Sequence, residues 1–210
     1  MKPKANEYPR VYKGIALIAD PIHQYAVFTV PTEDGAAEMT EKDLIDSPWV
    51  QRLRRIYQLQ SARWVYPSAE HTRFQHSLGT MHLAGEFGRF LYPSLREICP
   101  DVPSAPYVEE LLRIAGLLHD VGHGPYGHFF DDHFLGRYHL THEDLGQAII
   151  TRKLARLIRR IRRSPTGALA AGEVLDPRQA AFLIRMPDGR DDRVPPWFFF
   201  MDTASTEIYT

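Results

Sequence analysis

Residues 116–128 read GLLHDVGHGPYGH, which places His119 beside Asp120 and follows them with His123 and His128. The pair closes an apolar stretch, AGLLHD, whose Leu117 and Leu118 are core candidates. An ionised aspartate at such a buried helix end is costly unless it is paired or bound to a metal. Neighbours on a helix point about 100° apart, yet both can reach one ion lodged at the helix end. Imidazole with carboxylate is a borderline-to-hard ligand pair, suited to iron, manganese, nickel, cobalt or zinc. Alone, an HD dipeptide reads first as a capping or paired aspartate beside a satisfied core histidine. A second segment, HTRFQHSLGTMHLA (71–84), adds His76, with Arg73 one turn earlier on the same helix face.

The chain that must position these groups has 210 residues, 44% hydrophobic and 24% charged, with net charge -1. That is enough for one domain with a real core, and the mix is an ordinary globular one. A nearly neutral chain has no global attraction to nucleic acid or membrane. Its one cysteine, Cys99, allows no intramolecular disulfide and fits a reducing, cytoplasmic setting. The early apolar run GIALIA is too short for a signal peptide or a membrane span. No internal repeat is visible.

Two short strands are expected at IALIAD (15–20) and YAVFTV (25–30), separated by Asp20-Pro21 and closed by Pro31 with Glu33-Asp34-Gly35. The remainder reads as helix. Ser47-Pro48 opens one, with Val50, Leu53, Ile56 and Tyr57 on one face. His71-Thr72 precedes another, carrying Phe74, Leu78, Met81 and Phe87 and stopped by Pro93. A third spans Tyr107 to Val121 and ends at Gly122; a fourth runs from Leu140-Thr141 to about Arg163, before Pro165-Thr166-Gly167. Pro177 opens a short last helix. The fold expected is all-α with a small N-terminal β segment: a lead-in over 1–45 and a helical domain over 46–210.

Between Arg152 and Arg163 seven of twelve residues are basic, while Leu154, Leu157, Ile158 and Ile161 repeat at helical spacing. This is either an amphipathic helix with a solvated basic face or a surface that attracts phosphate or another subunit. Nucleic acid stays open as a partner, although no aromatic residues interleave with the arginines for base stacking.

HTRFQHSLG and LLHDVGHGPYGH together resemble the HD-domain phosphohydrolase superfamily. DPIHQY (20–25), IDSPWVQRLRRIYQLQ (45–60), VYPSAEHTRFQHS (65–77) and THEDLG (141–146), in that order, are similar to its deoxynucleoside-triphosphate triphosphohydrolase branch. The likeness covers about residues 12–150. It implies an HD-domain helical bundle in which His76, His119 and Asp120 bind a divalent transition metal. In the family a fourth ligand opens a D-x-x-D-[YF]-x-x-R-D stretch preceded by residues like GIYT. Here STEIYT ends the chain, so that aspartate is expected beyond Thr210 and the chain is expected to be a fragment, impaired relative to the complete product. Asp202, in FFFMDTAS, is the nearest acidic alternative, and the apolar VPPWFFFM (194–201) is expected to pack on something further or on another subunit.

The resemblance also implies a reaction. A metal-activated water attacks the α-phosphorus of a deoxynucleoside triphosphate, and deoxynucleoside and triphosphate leave, with magnesium accompanying the substrate. His123 and His128 would contact phosphates or move protons, His142 with Asp131 would support proton transfer, and Arg73 would bind phosphate. Gln58 and Leu59 match positions beside sugar and base. Gly122, Gly124 and Gly127 would let backbone and phosphate approach closely. Asp46, Gln51 and Arg54 match the positions where a guanine nucleotide activator binds between subunits of a homo-oligomer; the accompanying lysine is not evident in ALIADPIH.

Each residue also has a plainer reading. Arg73 would be an ion-pair partner, His123 an exposed loop residue and Gln58 a helix-surface glutamine, while Asp46 with Ser47 would only start a helix and Gln51 and Arg54 would only decorate its surface. His71 is a helix-start residue near the site, His23 structural, and His82, His133 and His139 carry no assignable role. Two other functions fit the same residues: an HD nucleotidase or phosphodiesterase acting on other nucleotides, or a degenerate HD module that binds nucleotide or nucleic acid.

Overall fold

The structure, a computed structural model, describes residues 14–20, 24–32 and 38–185. His23, the apolar 194–201 segment and Asp202 lie outside the described residues.

The chain is mostly helical behind a small hairpin. Strands β1 (Ile15–Asp20) and β2 (Gln24–Thr29) pair antiparallel, with Ile15 opposite Thr29 and Asp20 opposite Gln24. The second strand thus begins one residue earlier than expected. A short helix, α1 (Glu41–Ile45), interrupts what reads as irregular sequence, because Thr40 and Asp43 form a reciprocal capping box. Helix α2 (Pro48–Gln51) is capped by Ser47, and the chain then tightens into a 3₁₀ turn, Arg52–Arg55. The helix expected there is therefore cut short. Its apolar face survives nonetheless: Val50, Leu53 and Ile56 are all buried, while Tyr57 forms an isolated bridge with Thr72.

Helix α3 (Arg73–Ile98) passes through Pro93 instead of stopping there. Proline removes one hydrogen bond from a helix. Here the turn beyond it is retained by packing: Leu95 is buried and the Tyr92 hydroxyl donates to Pro103 O at 2.9 Å. Helix α4 (Ala105–Leu118) is capped by Ser104 and has proline in its first turn, so it starts two residues early. It ends at Leu118, three residues before the expected Val121, because His119 is its C-cap and Val121 N already turns back to Leu118 O. Helices α3 and α4 pack along each other so closely that a β-carbon on Gly116 would lie 2.9 Å from Thr80 O.

After α5 (His128–His133) and a 3₁₀ turn, Leu135–Tyr138, the helix expected over 140–163 is resolved into three pieces. These are α6 (His142–Ile149), a π-helical turn (Ile150–Leu154) and α7 (Ala155–Ile158). Arg163–Ser164 and Gly167–Ala168 pair as a small hairpin, β3 and β4, because Pro165-Thr166 makes the turn between them. Helix α8 (Pro177–Ile184) opens at Pro177 as expected, capped by Asp176. The core gathers Phe74, Leu78 and Met81 of α3, Leu111, Ile114 and Leu117 of α4, and Ile150, Leu154, Ile158 and Ile161. The basic segment accordingly turns its aliphatic side inward. Arg152, Lys153, Arg156 and Arg159 are exposed, while Arg163 Nη2 donates to Val30 O at 2.5 Å. Among the described residues no helix is long and apolar enough to cross a membrane.

Candidate active site

The first turn of α3 and the end of α4 bring His76 and His119 together, with their Nε2 atoms 3.1 Å apart and their rings near perpendicular at 75°. His119 Nδ1 lies 2.8 Å from Gly116 O. A carbonyl only accepts, so Nδ1 carries the proton and Nε2 turns its lone pair toward His76. Asp120 Oδ1 completes the group, 3.3 Å from His119 Nε2. These ligand atoms lie within 4.8 Å of one another. Burial, reinforced by the neighbouring His119, pulls the His76 pKa down and keeps the ring in the neutral form a metal requires. Donor types, convergence and protonation all fit a divalent transition ion.

Arg73 Nη1 donates to the other oxygen of Asp120, Oδ2, at 2.7 Å, and both side chains are buried. Burial alone would raise the Asp120 pKa. The close approach of His123 and the neighbouring His119 and Arg73 outweigh it and hold the carboxyl well below the usual carboxylate range. The ion-pair reading of Arg73 is thus realised in the protein, through a proposed metal ligand.

A second cluster adjoins the first. His123 is 1% exposed, so it is not a solvent-exposed loop residue. Its ring stacks on His142, with centroids 3.6 Å apart and 14° between planes. Its Nε2 lies 3.4 Å from Asp120 Oδ1 and its Nδ1 3.8 Å from Asp131 Oδ2. Asp131 Oδ2 accepts from His142 Nδ1 at 2.5 Å and lies 3.5 Å from His128 Nδ1. The carboxylate that orients His142 is therefore Asp131, and Glu143 stands further off at 3.3 Å from Nε2. His142 opens α6 because Thr141 caps that helix with Asp144. His128 opens α5 and remains the exposed member of the cluster.

The glycines between the clusters do not all serve the role expected of them. A β-carbon on Gly122 would fall 1.8 Å from His142 O, so this glycine lets the start of α6 dock on the HD turn. Gly124 accommodates the Phe130 ring, and Gly127 alone lies beside Arg73. Arg52 holds the turn from the other side: Nη1 donates to His123 O at 2.6 Å and Nη2 donates to Val121 O. In the sequence nothing separates it from the other arginines of RLRR.

Residues 73–185 match the HD domain, more than half of the chain and the whole of both clusters. The chain belongs to the HD-domain family. Curated relatives include deoxynucleoside triphosphate triphosphohydrolases. The SAMHD1 homolog of Dictyostelium discoideum is 38% identical over 106 residues, 49% of this chain and 20% of that protein. SAMHD1 of Bos taurus is 40% identical over 119 residues, 57% of this chain and 18% of that protein. SAMHD1 of Homo sapiens is 45% identical over 92 residues, 44% of this chain and 14% of that protein. The chain thus spans a fifth or less of the length of these relatives.

Gln58, Leu59, Asp46, Gln51 and Arg54 precede the HD-domain match. Gln58 sits in a turn, not on a helix surface, with its Oε1 buried and unpartnered among the described residues, and Leu59 is exposed. Gln51 Nε2 donates to Ile45 O and Arg54 Nε to Gln51 Oε1, both at 2.8 Å, whereas Asp46 pairs with Lys42. Arg54 stacks 3.7 Å above the Phe74 ring and lines a cavity of about 400 Å³ between β1 and the start of α3.

Proposed function

We propose that this HD domain hydrolyses deoxynucleoside triphosphates to deoxynucleoside and triphosphate. The observation that carries the reading is the junction of the two clusters at Asp120, whose Oδ1 lies 3.3 Å from His119 Nε2 and 3.4 Å from His123 Nε2. A ligand set on one side and a proton-handling set on the other thus share one carboxylate. The similarity to triphosphohydrolases supports this choice of substrate class.

His76, His119 and Asp120 would hold the metal: manganese, iron, nickel, cobalt or zinc by donor type. Such an ion, when bound, would acidify a coordinated water and polarise phosphate oxygens. Arg73 keeps Asp120 ionised and oriented and offers Nη2, on the Gly127 side, to a phosphate oxygen. Departure of the 5′-oxygen requires a proton, a contribution of about 10²–10⁴-fold when a positioned acid supplies it. His128, exposed and beside Asp131, would donate it. The Asp131–His142 pair sustains the proton inventory, and the buried His123 ring holds His142 by stacking. Gln58 and Leu59 belong to the sugar and base side of this reading, and Asp46, Gln51 and Arg54 to a nucleotide activator site on a homo-oligomer. Magnesium would enter with the substrate.

Incubation with mixed deoxynucleoside triphosphates and manganese, followed by anion exchange, tests the proposal. Equimolar deoxynucleoside and triphosphate, absent with His119→Ala, is the expected result. Release of pyrophosphate or of single phosphate would contradict it, and dephosphorylation of monophosphates alone would favour a nucleotidase.

A further inference from the structure

Gln60 adopts a left-handed backbone, φ 48°, one of four non-glycine residues to do so among the described residues. A second of the four is Tyr126 (φ 63°), and Gly127 follows it at φ 55°. The two loops that carry this unusual backbone meet. A β-carbon on Gly127 would lie 2.8 Å from Arg73 Nη2 and 3.0 Å from Gln60 Nε2. An amide and a guanidinium thus converge on one bare patch of backbone, directly before His128. Arg73 commits Nη1 to Asp120, and among the described residues neither Arg73 Nη2 nor Gln60 Nε2 has an acceptor.

Left-handed backbone at a residue with a β-carbon persists only where its surroundings hold it, and such positions concentrate at ligand sites. We propose that Gln60 contacts substrate: its Nε2 and Arg73 Nη2 together seat a non-bridging oxygen of a polyphosphate. The guanidinium supplies charge, and the neutral amide supplies a second, directional donor from a different loop. Gly127 keeps the seat open, since any side chain there would occupy it. The identity of the polyphosphate as part of a deoxynucleoside triphosphate rests on the function proposed above; the donor pair itself does not.

Calorimetric titration of the chain with inorganic triphosphate in EDTA reads the seat without requiring turnover. Wild type should bind saturably. Gln60→Ala and Gln60→Gly should each weaken binding roughly three- to tenfold, the range for one neutral hydrogen bond. Gln60→Gly should melt at the same or a higher temperature, because glycine accepts positive φ without strain. Weaker binding in a variant at least as stable separates a ligand contact from a structural role. Equal affinity of Gln60→Gly and wild type, or no triphosphate binding by wild type, overturns the seat. Gln60-dependent triphosphate binding by a chain that releases other products from deoxynucleoside triphosphates would leave the seat standing and remove the triphosphohydrolase reading.

Discussion

Arg73 and Asp120 are 47 positions apart in sequence and joined by a buried 2.7 Å hydrogen-bonded ion pair. One carboxylate oxygen faces the guanidinium, and the other faces His119 and His123. Replacing Arg73 with Met leaves a buried anion without its partner. The expected loss is about 3–5 kcal/mol in urea denaturation of the metal-free chain, the range for breaking a buried pair. The double variant with Asp120→Asn should recover part of that loss, because the stranded charge is gone.

Stability should fall on mild acidification. Burial is the main cause that lowers the pKa values of His76 and His123 below the usual imidazole value, although Asp120 acts in the opposite direction on both. Below about pH 6.5 the unfolded chain therefore takes up protons that the folded chain refuses, which favours unfolding until the lower folded values are reached. Asp120 adds stability that is present above about pH 4, its ordinary value, and is lost as pH falls through its lower folded value. Denaturation midpoints should decline from pH 7 to pH 5, and His123→Gln should reduce the slope.

Glu110 should act in the opposite direction. It is fully buried in α4, and both carboxylate oxygens are unpartnered among the described residues. Burial, then repulsion from Glu41 and Glu109, pushes its pKa well above the ordinary 4.5 against the pull of Arg113 and Arg163. The folded chain therefore keeps a proton that the unfolded chain releases, and this residue erodes stability as pH rises above about 4.5 toward its folded value. Glu110→Leu should be more stable than wild type at pH 7 and equal to it at pH 4. Thermal melts at the two pH values distinguish this from a constant offset.

The approach of α3 to α4 at Gly116 sets the distance between His76 and His119. Gly116→Ala would drive a β-carbon to 2.9 Å from Thr80 O, a backbone atom that cannot rotate away. A loss of about 1–3 kcal/mol is expected, the usual cost of overpacking. Manganese affinity should weaken with it, since the carbonyl that fixes the His119 tautomer is that of the same residue. Unchanged metal affinity in a folded variant would uncouple helix spacing from the ligand set.

Much of the site is legible in the sequence because its parts sit at element ends that local chemistry marks. Thr72 and Thr141 cap the helices that begin beside His76 and at His142, and the leucines of α4 run into His119 and Asp120. Less visible is what long-range packing decides. Pro93 reads as a stop because the local rule knows nothing of the contacts that hold α3 beyond it. The apolar repeat through Leu154, Ile158 and Ile161 reads as one helix, since the residues stay on the buried side through a π turn and past the end of α7. A glycine in HDVGHG announces a close approach without naming what approaches, which at Gly122 is the start of α6. Arg52 and Gln60 carry no periodic signal, and their positions become meaningful only once the loops they face are in place.

Among the described residues two histidine clusters could each hold an ion; the metal is proposed for His76, His119 and Asp120, and the protons for the other cluster. Manganese titration followed by electron paramagnetic resonance on wild type, His119→Ala and His142→Ala decides between them. One bound equivalent in wild type and in His142→Ala, with none in His119→Ala, is the expected result. Retention of manganese by His119→Ala with its loss in His142→Ala would place the metal in the other cluster and contradict the division of labour proposed for Asp120.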